Sequence, residues 1–93
     1  MKLSDIDLNL FVVFNAIYTE GNLTRAGEII GITQPAVSNS LSRLRSLFDD
    51  PLFVRTADGM IPTPVAQNII GSVRQGLELF RSSVQESEQF DPK

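Results

Sequence analysis

Six apolar residues in the last third of the chain recur at alternating spacings of four and three. This heptad stripe consists of Ala66, Ile70, Val73, Leu77, Phe80 and Val84. The repeat predicts one amphipathic helix from Pro64 to about Gln89, with Thr63 as its N-terminal cap and Pro64 at its first position. Such a helix is too long for the core of a 93-residue chain to cover, so we expect the stripe to contact a second copy of the chain.

The N-terminal segment predicts a first helix from about Asp7 to Thr19, capped by Asp5 or Asp7. Its apolar residues occupy two neighbouring faces, formed by Leu8, Phe11 and Val12 and by Leu10, Phe14, Ile17 and Tyr18. An apolar surface of this width indicates either a helix buried on two sides or one that also contacts a partner subunit.

Two glycines mark the limits of a short second helix. Gly21 suits a left-handed helix end, and Asn22 is a good cap for a helix over Leu23–Ile30. Within it, Ala26 and Gly27 are small enough to let another helix approach closely. Gly31 then interrupts the helical pattern, so the sequence predicts a helix-turn-helix.

The third helix begins with Thr33 or Gln34 as its cap and carries Pro35 in its first turn, where proline is tolerated. Its core-facing residues are Val37, Leu41, Leu44 and Phe48. The opposite face is small and polar and consists of Pro35, Asn39, Ser42 and Ser46. That face is either merely solvated or adapted to close contact with another molecule.

A short β-hairpin is expected between the third helix and the last one. Residues 49–51 stop the helix, and "LFVRT" (Leu52–Thr56) has the composition of a strand. Residues 57–59 suit a turn, and "MIPT" (Met60–Thr63) suits an edge strand. Because two short strands are not stable alone, the hairpin must pack on the helices. The pattern predicts a mainly α fold: three helices with a β-hairpin wing, followed by the long helix.

Composition excludes several classes of function. The chain contains neither cysteine nor histidine, and its two lysines lie at positions 2 and 93. We therefore expect no disulfide, no metal site, no cofactor and no catalytic residues. The acidic residues at positions 5 and 7 do not fit a signal peptide, and no apolar segment is long enough to span a membrane. A cytoplasmic protein is expected.

Two motifs together resemble the DNA-binding domain of LysR-type transcriptional regulators. They are "LTRAGEIIGITQPAVSNSLSRLR" (Leu23–Arg45) and "DPLFVRTADGMIPTP" (Asp50–Pro64), followed by the long helix. The variant "SNSLSRLRSLFDDPLFVR" is most similar to the branch of nodulation and aromatic-catabolism activators. The resemblance implies a bacterial regulator with a DNA-binding domain over 1–62, a dimerising linker helix over 63–89 and a hinge at 90–93.

The resemblance also implies partners. They are double-stranded operator DNA, a second subunit, and a small-molecule effector held by a C-terminal domain that the sequence lacks. The assembled regulator is expected to be a homodimer, with a tetramer left open for the full-length protein.

The candidate DNA-binding residues lie on the second and third helices and on the wing. They are Thr24, Arg25, Thr33, Gln34, Pro35, Ser38, Asn39, Ser42, Arg43, Arg55 and Thr56. Short side chains on the third helix would let its first turn approach base edges in a major groove. The resemblance implies DNA roles for Thr33, Gln34, Pro35 and Ser38.

Individual side chains suggest particular contacts. The amides of Gln34 and Asn39 suit adenine, and the ring of Pro35 suits a thymine methyl. Ser38 suits a phosphate or a base. Asn39 stands where many family members carry arginine or another long residue, so we expect a sequence preference of its own.

Four arginines suggest phosphate contacts, and three of them also have an alternative. Arg43 is expected to reach a phosphate from the margin of the polar face. Arg45 could do so or pair with Asp49, and Arg25 could meet a phosphate or pair with Glu28. The resemblance places Arg55 on a wing that contacts the DNA backbone or minor groove, with a solvated strand charge as the alternative.

The net charge of −3 argues mildly against binding of nucleic acid, because DNA-binding domains are usually basic. Residues 33–57 contain three arginines against two aspartates, which leaves a local charge of +1. Two subunits on two half-sites would strengthen this weak electrostatic attraction. The alternative function is a winged-helix module that binds protein and not DNA.

Overall fold

A computed structural model describes the backbone of residues 1–89 and the side chains of residues 1–87. The elements are a 3-10 turn at Leu3–Asp5, helices α1 (Asn9–Glu20), α2 (Leu23–Ile30), α3 (Gln34–Phe48) and α4 (Pro64–Gln89), and strands β1 (Phe53–Thr56) and β2 (Gly59–Pro62). The predicted mainly α architecture with one antiparallel hairpin is confirmed. The hinge expected over residues 90–93 lies outside the described residues.

Helix α1 is the central helix of the fold, because it contacts α2, α3, α4 and the hairpin. It begins at Asn9, later than predicted, and Leu8 occupies the N-cap position. Asp7 still satisfies an N-terminal amide, since its Oδ1 accepts the N–H of Asn9 at 3.0 Å. The buried residues are Leu10, Val13, Phe14, Ala16 and Ile17. On the neighbouring apolar face, Leu8 is 41% exposed and Phe11 and Val12 are only half-buried, so the chain covers that part of the wide apolar surface incompletely.

Helices α2 and α3 form the predicted helix-turn-helix. Asn22 caps α2 by accepting the N–H of Arg25 at 2.9 Å, and the helix ends at the left-handed Gly31. Thr33 caps α3 by accepting the N–H of Ala36 at 3.3 Å, which decides between Thr33 and Gln34. A Cβ added to Gly27 would lie 2.6 Å from the backbone oxygen of Ile32. The turn approaches α2 so closely that only glycine fits there.

The hairpin differs slightly from the prediction. Thr56 pairs with Gly59, so the turn shortens to residues 57–58 and Gly59 belongs to β2. Phe53 is buried, and its ring lies 5.4 Å from that of Phe14 in α1. The N–H of Met60 donates to the oxygen of Gly21 at 2.9 Å. These contacts attach the wing to the end of α1.

The core combines residues from every element except the 3-10 turn. Its buried members outside α1 are Leu23, Ala26, Val37, Leu41, Leu44, Leu52, Phe53, Met60, Ala66 and Val73. Within the described part of the chain, no polar or charged residue is buried. The core residues predicted for α3 are Val37, Leu41 and Leu44, which are buried, and Phe48, which is half-buried against Phe11.

Helix α4 begins as predicted. The Oγ1 of Thr63 accepts the N–H of Ala66 at 3.2 Å, and Pro64 is the first helical residue. Over the residues that the structure covers, none of the helices is both long and apolar enough to cross a bilayer.

Candidate nucleic-acid interface

The polar face of α3 lies opposite its core-facing residues, as predicted. Exposed side chains on this face belong to Pro35, Asn39, Ser42, Arg43 and Ser46, with Thr33 exposed just before the helix. Apart from Arg43, these are short side chains. The face is therefore a shallow surface on which another molecule can approach the helix backbone.

Gln34 and Ser38 form one edge of this face and are half-buried. They lie one helical turn apart, and the Nε2 of Gln34 donates to the Oγ of Ser38 at 2.8 Å. This hydrogen bond fixes the orientation of the Gln34 amide. Its oxygen and its second N–H are the groups left to face a ligand.

Arg43 lies at the opposite edge of the face, on the side toward α1. Its Nη1 lies 3.2 Å from the Oδ2 of Asp7, and both side chains are about half exposed. The sequence pattern predicts for Asp7 only a role as a cap of the first helix. The structure adds an ion pair between two groups 36 positions apart in the chain.

Arg45 has a structural partner that the sequence analysis missed. Its Nε donates to the backbone oxygen of Pro51 at 2.8 Å, and its Nη2 donates to that of Phe53 at 3.0 Å. The predicted pairing with Asp49 is therefore wrong. Both carbonyl oxygens accept hydrogen bonds from the planar guanidinium group, which therefore links α3 to the wing.

Thr24 and Arg25 are exposed at the start of α2, the first helix of the helix-turn-helix. The Nε of Arg25 lies 3.4 Å from the Oε1 of Glu20, so the pairing with Glu28, given as an alternative to a phosphate contact, is wrong. The Arg25 side chain remains 65% exposed, while that of Glu20 is 20% exposed. The ion pair leaves most of the guanidinium accessible to another anion.

On the wing, Arg55 and Thr56 are exposed at the end of β1. The Oγ1 of Thr56 accepts the N–H of Asp58 at 3.1 Å and donates to the oxygen of Gly59 at 3.0 Å. Its hydroxyl therefore stabilises the wing turn. Within the described side chains, the guanidinium of Arg55 is the one arginine head group that forms no hydrogen bond or ion pair.

Asp50 is a further residue that sequence reasoning missed. Its Oδ2 accepts the N–H of Leu52 at 2.8 Å and the hydroxyl of Thr63 at 2.7 Å. One carboxylate oxygen thus joins the start of β1 to the cap of α4. An aspartate before a proline indicates a turn, but nothing local to it indicates a partner thirteen residues later.

The stripe predicted for dimer contact has two environments. Ala66 and Val73 are buried, and Ile70 and Leu77 pack partly against the same core. Phe80 and Val84 are 62% and 59% exposed. Ala66 has no exposed surface for a partner, because its own subunit covers it. Within the stripe, Phe80 and Val84 therefore expose the most apolar surface.

The described residues include no group of three or more acidic side chains placed to hold a metal ion. The interface consists of short polar side chains, one proline ring and guanidinium groups. Such a surface can donate and accept hydrogen bonds and pair with anions.

Comparison with known proteins gives a family match over the same elements. Residues 8–67 match the family described as "Bacterial regulatory helix-turn-helix protein, lysR family". Over 92 residues the chain is 48% identical to the HTH-type transcriptional activator NahR of Pseudomonas putida, and 41% identical to Nodulation protein D 1 of Bradyrhizobium elkanii. These matches cover 99% of the chain but 31% and 29% of the relatives.

Solved structures agree with the fold. The crystal structure of the probable transcriptional regulator PA0477 from Pseudomonas aeruginosa matches with a TM-score of 0.86 at 36% identity, over 90% of this chain and 28% of that one. The DNA-binding domain of BenM, crystallised with catB site 1 DNA, matches with a TM-score of 0.85. That match has 19% identity and covers 95% of this chain and 99% of the other.

Proposed function

The chain belongs to the lysR family of bacterial regulatory helix-turn-helix proteins, and on this premise we propose that it recognises operator DNA for a transcriptional regulator. The observation that carries the proposal is the exposed face of α3, with its short polar side chains from Thr33 to Ser42. A major groove admits an α-helix and displays a distinct donor and acceptor pattern for each base pair. Short side chains let the start of α3 approach those base edges.

Base contacts are assigned to the first turns of α3. The amide of Gln34, held by Ser38, presents an acceptor and a donor together, which is the pair that adenine requires. Asn39 is exposed near the middle of the face and offers a second such amide. Pro35 offers an apolar surface to a thymine methyl, and Thr33 and Ser42 lie within the same exposed face.

Phosphate contacts are assigned to residues around that face. Thr24 and Arg25 lie at the start of α2, where backbone amides favour anions. Arg43 flanks α3, and Arg55 and Thr56 lie on the wing. Such contacts fix the orientation of the protein on the duplex without reading its sequence.

We assign the homodimer contact to the exposed part of α4. Phe80 and Val84 continue the stripe beyond the chain's own core, and Leu79 beside them is 65% exposed. A dimer presents two recognition helices to two half-sites, which compensates for the few arginines in each subunit. Residues 1–62 would then bind DNA and residues 63–89 would join the subunits.

The chain spans 31% of the length of NahR. We propose that the full-length regulator binds a small-molecule effector, and forms any tetramer, through a C-terminal region. The proposed location is the bacterial cytoplasm, where promoter DNA is accessible. The family consists of regulators and not enzymes, and we assign no catalytic residue or cofactor.

A charge placed in the middle of the α3 face tests this function. Asn39→Asp is almost isosteric and should weaken binding to duplex DNA at least about tenfold, because it adds an anion next to phosphates. Asn68→Asp is the matched control, since Asn68 is exposed on α4. Binding is measured by fluorescence anisotropy over a series of salt concentrations, with circular dichroism to check folding.

Three outcomes separate the two candidate functions. Salt-dependent binding that Asn39→Asp weakens and Asn68→Asp preserves supports operator recognition by α3. Equal effects of the two substitutions would contradict the docking of α3. No binding at low salt by a folded dimer would contradict DNA recognition and favour a protein-binding module. Selection from a random duplex pool then gives the half-site sequence and spacing.

A further inference from the structure

Asp7 makes two different contacts with its two carboxylate oxygens. Its Oδ1 accepts the N–H of Asn9 at 3.0 Å and stabilises the start of α1. Its Oδ2 lies 3.2 Å from the Nη1 of Arg43 on α3. The backbone oxygen of Asp7 also accepts the N–H of Leu10 at 2.9 Å. The hydrogen bond from Asn9 therefore holds the carboxylate at the start of α1, and the long Arg43 side chain reaches to it.

The ion pair is open to solvent and to ligands. The side chains of Arg43 and Asp7 are 53% and 45% exposed. Exposed pairs of this kind contribute little to folding stability, because water solvates both partners well. A stronger or more highly charged acceptor can therefore take over the guanidinium without unfolding any element.

We propose that Asp7 competes with DNA for Arg43. In the free chain the carboxylate holds the guanidinium, and when α3 enters the groove the guanidinium moves from Asp7 to a backbone phosphate. This inference rests on the proposed binding of DNA by α3. Asp7 thereby lowers the affinity of the protein for every duplex, since the phosphate contact requires an existing ion pair to break.

Arg55 provides the internal comparison. Among the side chains that the structure describes, its guanidinium is free of such contacts, so a phosphate can bind it with no exchange. Arg43 and Arg55 carry the same charge, but only Arg43 must break an ion pair before it can bind a phosphate. Removing Asp7 should strengthen the contact of Arg43 and leave that of Arg55 unchanged.

The test uses Asp7→Asn in the 93-residue chain. Asparagine keeps the side-chain oxygen that accepts the N–H of Asn9 and removes only the charge. The control is Asp5→Asn, because Asp5 is exposed two residues away and makes no ion pair within the described residues. The probe is a mixed-sequence duplex long enough for both half-sites, since a phosphate contact does not depend on sequence.

We expect Asp7→Asn to bind this duplex about two- to fivefold more tightly per subunit, the range that exposed ion pairs support. Asp5→Asn should change binding less than twofold. Arg43→Gln should weaken binding and lower the slope of log K against log salt by about one unit per subunit. In the Arg43→Gln background, Asp7→Asn should have no effect beyond that of Asp5→Asn.

Each other outcome contradicts a different statement. Weaker binding of Asp7→Asn would mean that Asp7 positions Arg43 for DNA and does not compete for it. Equal gains from Asp5→Asn and Asp7→Asn would mean that only the local charge matters. If the unmodified chain shows no salt-dependent binding, the proposed function fails and the inference fails with it.

Discussion

The two halves of α4 carry one apolar stripe but have different surroundings. Val73 in the first half is 9% exposed, and Val84 in the second half is 59% exposed. The reason is length: α1 has 12 residues and α4 has 26, so the helices extend over about 18 and 39 Å. Since α1 is the only helix that packs closely along α4 within residues 1–89, it covers roughly half of the stripe. A heptad repeat shows that a helix face is apolar, but it does not show what covers that face.

Placing the same charge at the two valines should produce the largest difference between the halves. Val73→Asp introduces an uncompensated charge into the core and should lower the free energy of unfolding by about 3 kcal/mol or more. Val84→Asp should change it by less than about 0.5 kcal/mol at concentrations where the chain is monomeric. Urea denaturation followed by circular dichroism measures both values. Similar losses at the two positions would contradict the division of the stripe.

Phe80→Lys tests the proposed role of the second half. The substitution places a charge on the exposed part of the stripe and should weaken self-association about tenfold or more, because it replaces a large apolar contact. Sedimentation equilibrium measures the dissociation constant. Leu77→Lys would be harder to interpret, since Leu77 also packs partly against the chain's own core. A dimer unaffected by both Phe80→Lys and Val84→Asp would exclude this surface.

Arg74 joins the first half of α4 to α1, and its substitution should have a moderate effect. Its Nε donates to Asn15 Oδ1 at 2.8 Å, its Nη2 donates to Thr19 Oγ1 at 2.9 Å, and its Cζ lies 5.2 Å from the centre of the Tyr18 ring. Arg74→Met keeps much of the side-chain volume and should cost about 1 kcal/mol, a value reduced because the guanidinium is exposed.

Arg81→Met is the matched control for Arg74→Met. Among the side chains of residues 1–87, Arg81 pairs only with Glu78 of the same helix, at 2.9 Å, so its loss should cost about 0.3 kcal/mol. Both variants are compared by urea denaturation. Equal costs would mean that the contacts between α1 and α4 made by Arg74 add nothing to the stability of the first half.

The helices and their ends could be predicted because their signals are local. Asn22, Thr33 and Thr63 each lie three residues before the backbone amide that they cap, and proline marks the first turns of α3 and α4. Such features fix a helix start within a few residues of sequence. The hairpin turn is one residue shorter than predicted because Gly59 pairs with Thr56 inside the ladder.

Partners of the arginines could not be predicted in the same way. Arg43 reaches Asp7, 36 positions earlier, and Arg45 reaches one carbonyl oxygen in the following loop and one at the start of β1. Neighbour rules within a helix do not include either choice. The exposed polar face of α3 could therefore be predicted from the sequence. The groups that bind Arg43 and Arg45 could be identified only from the tertiary structure.

Gly71→Ala should have a smaller effect than Arg74→Met, and it acts on helix propensity alone. Gly71 lies inside the first half of α4, and a Cβ added there would have no heavy atom within 4 Å apart from its chain neighbours and the adjacent backbone of its own helix. Alanine should therefore raise the free energy of unfolding by about 0.5–1 kcal/mol without a new contact. Thermal denaturation measures the gain, and Gly27→Ala is the opposing control, because its Cβ would lie 2.6 Å from the Ile32 oxygen and must destabilise the chain. A loss of stability in Gly71→Ala would mean that another surface covers this side of α4, and the comparison between its halves would then have to include that surface.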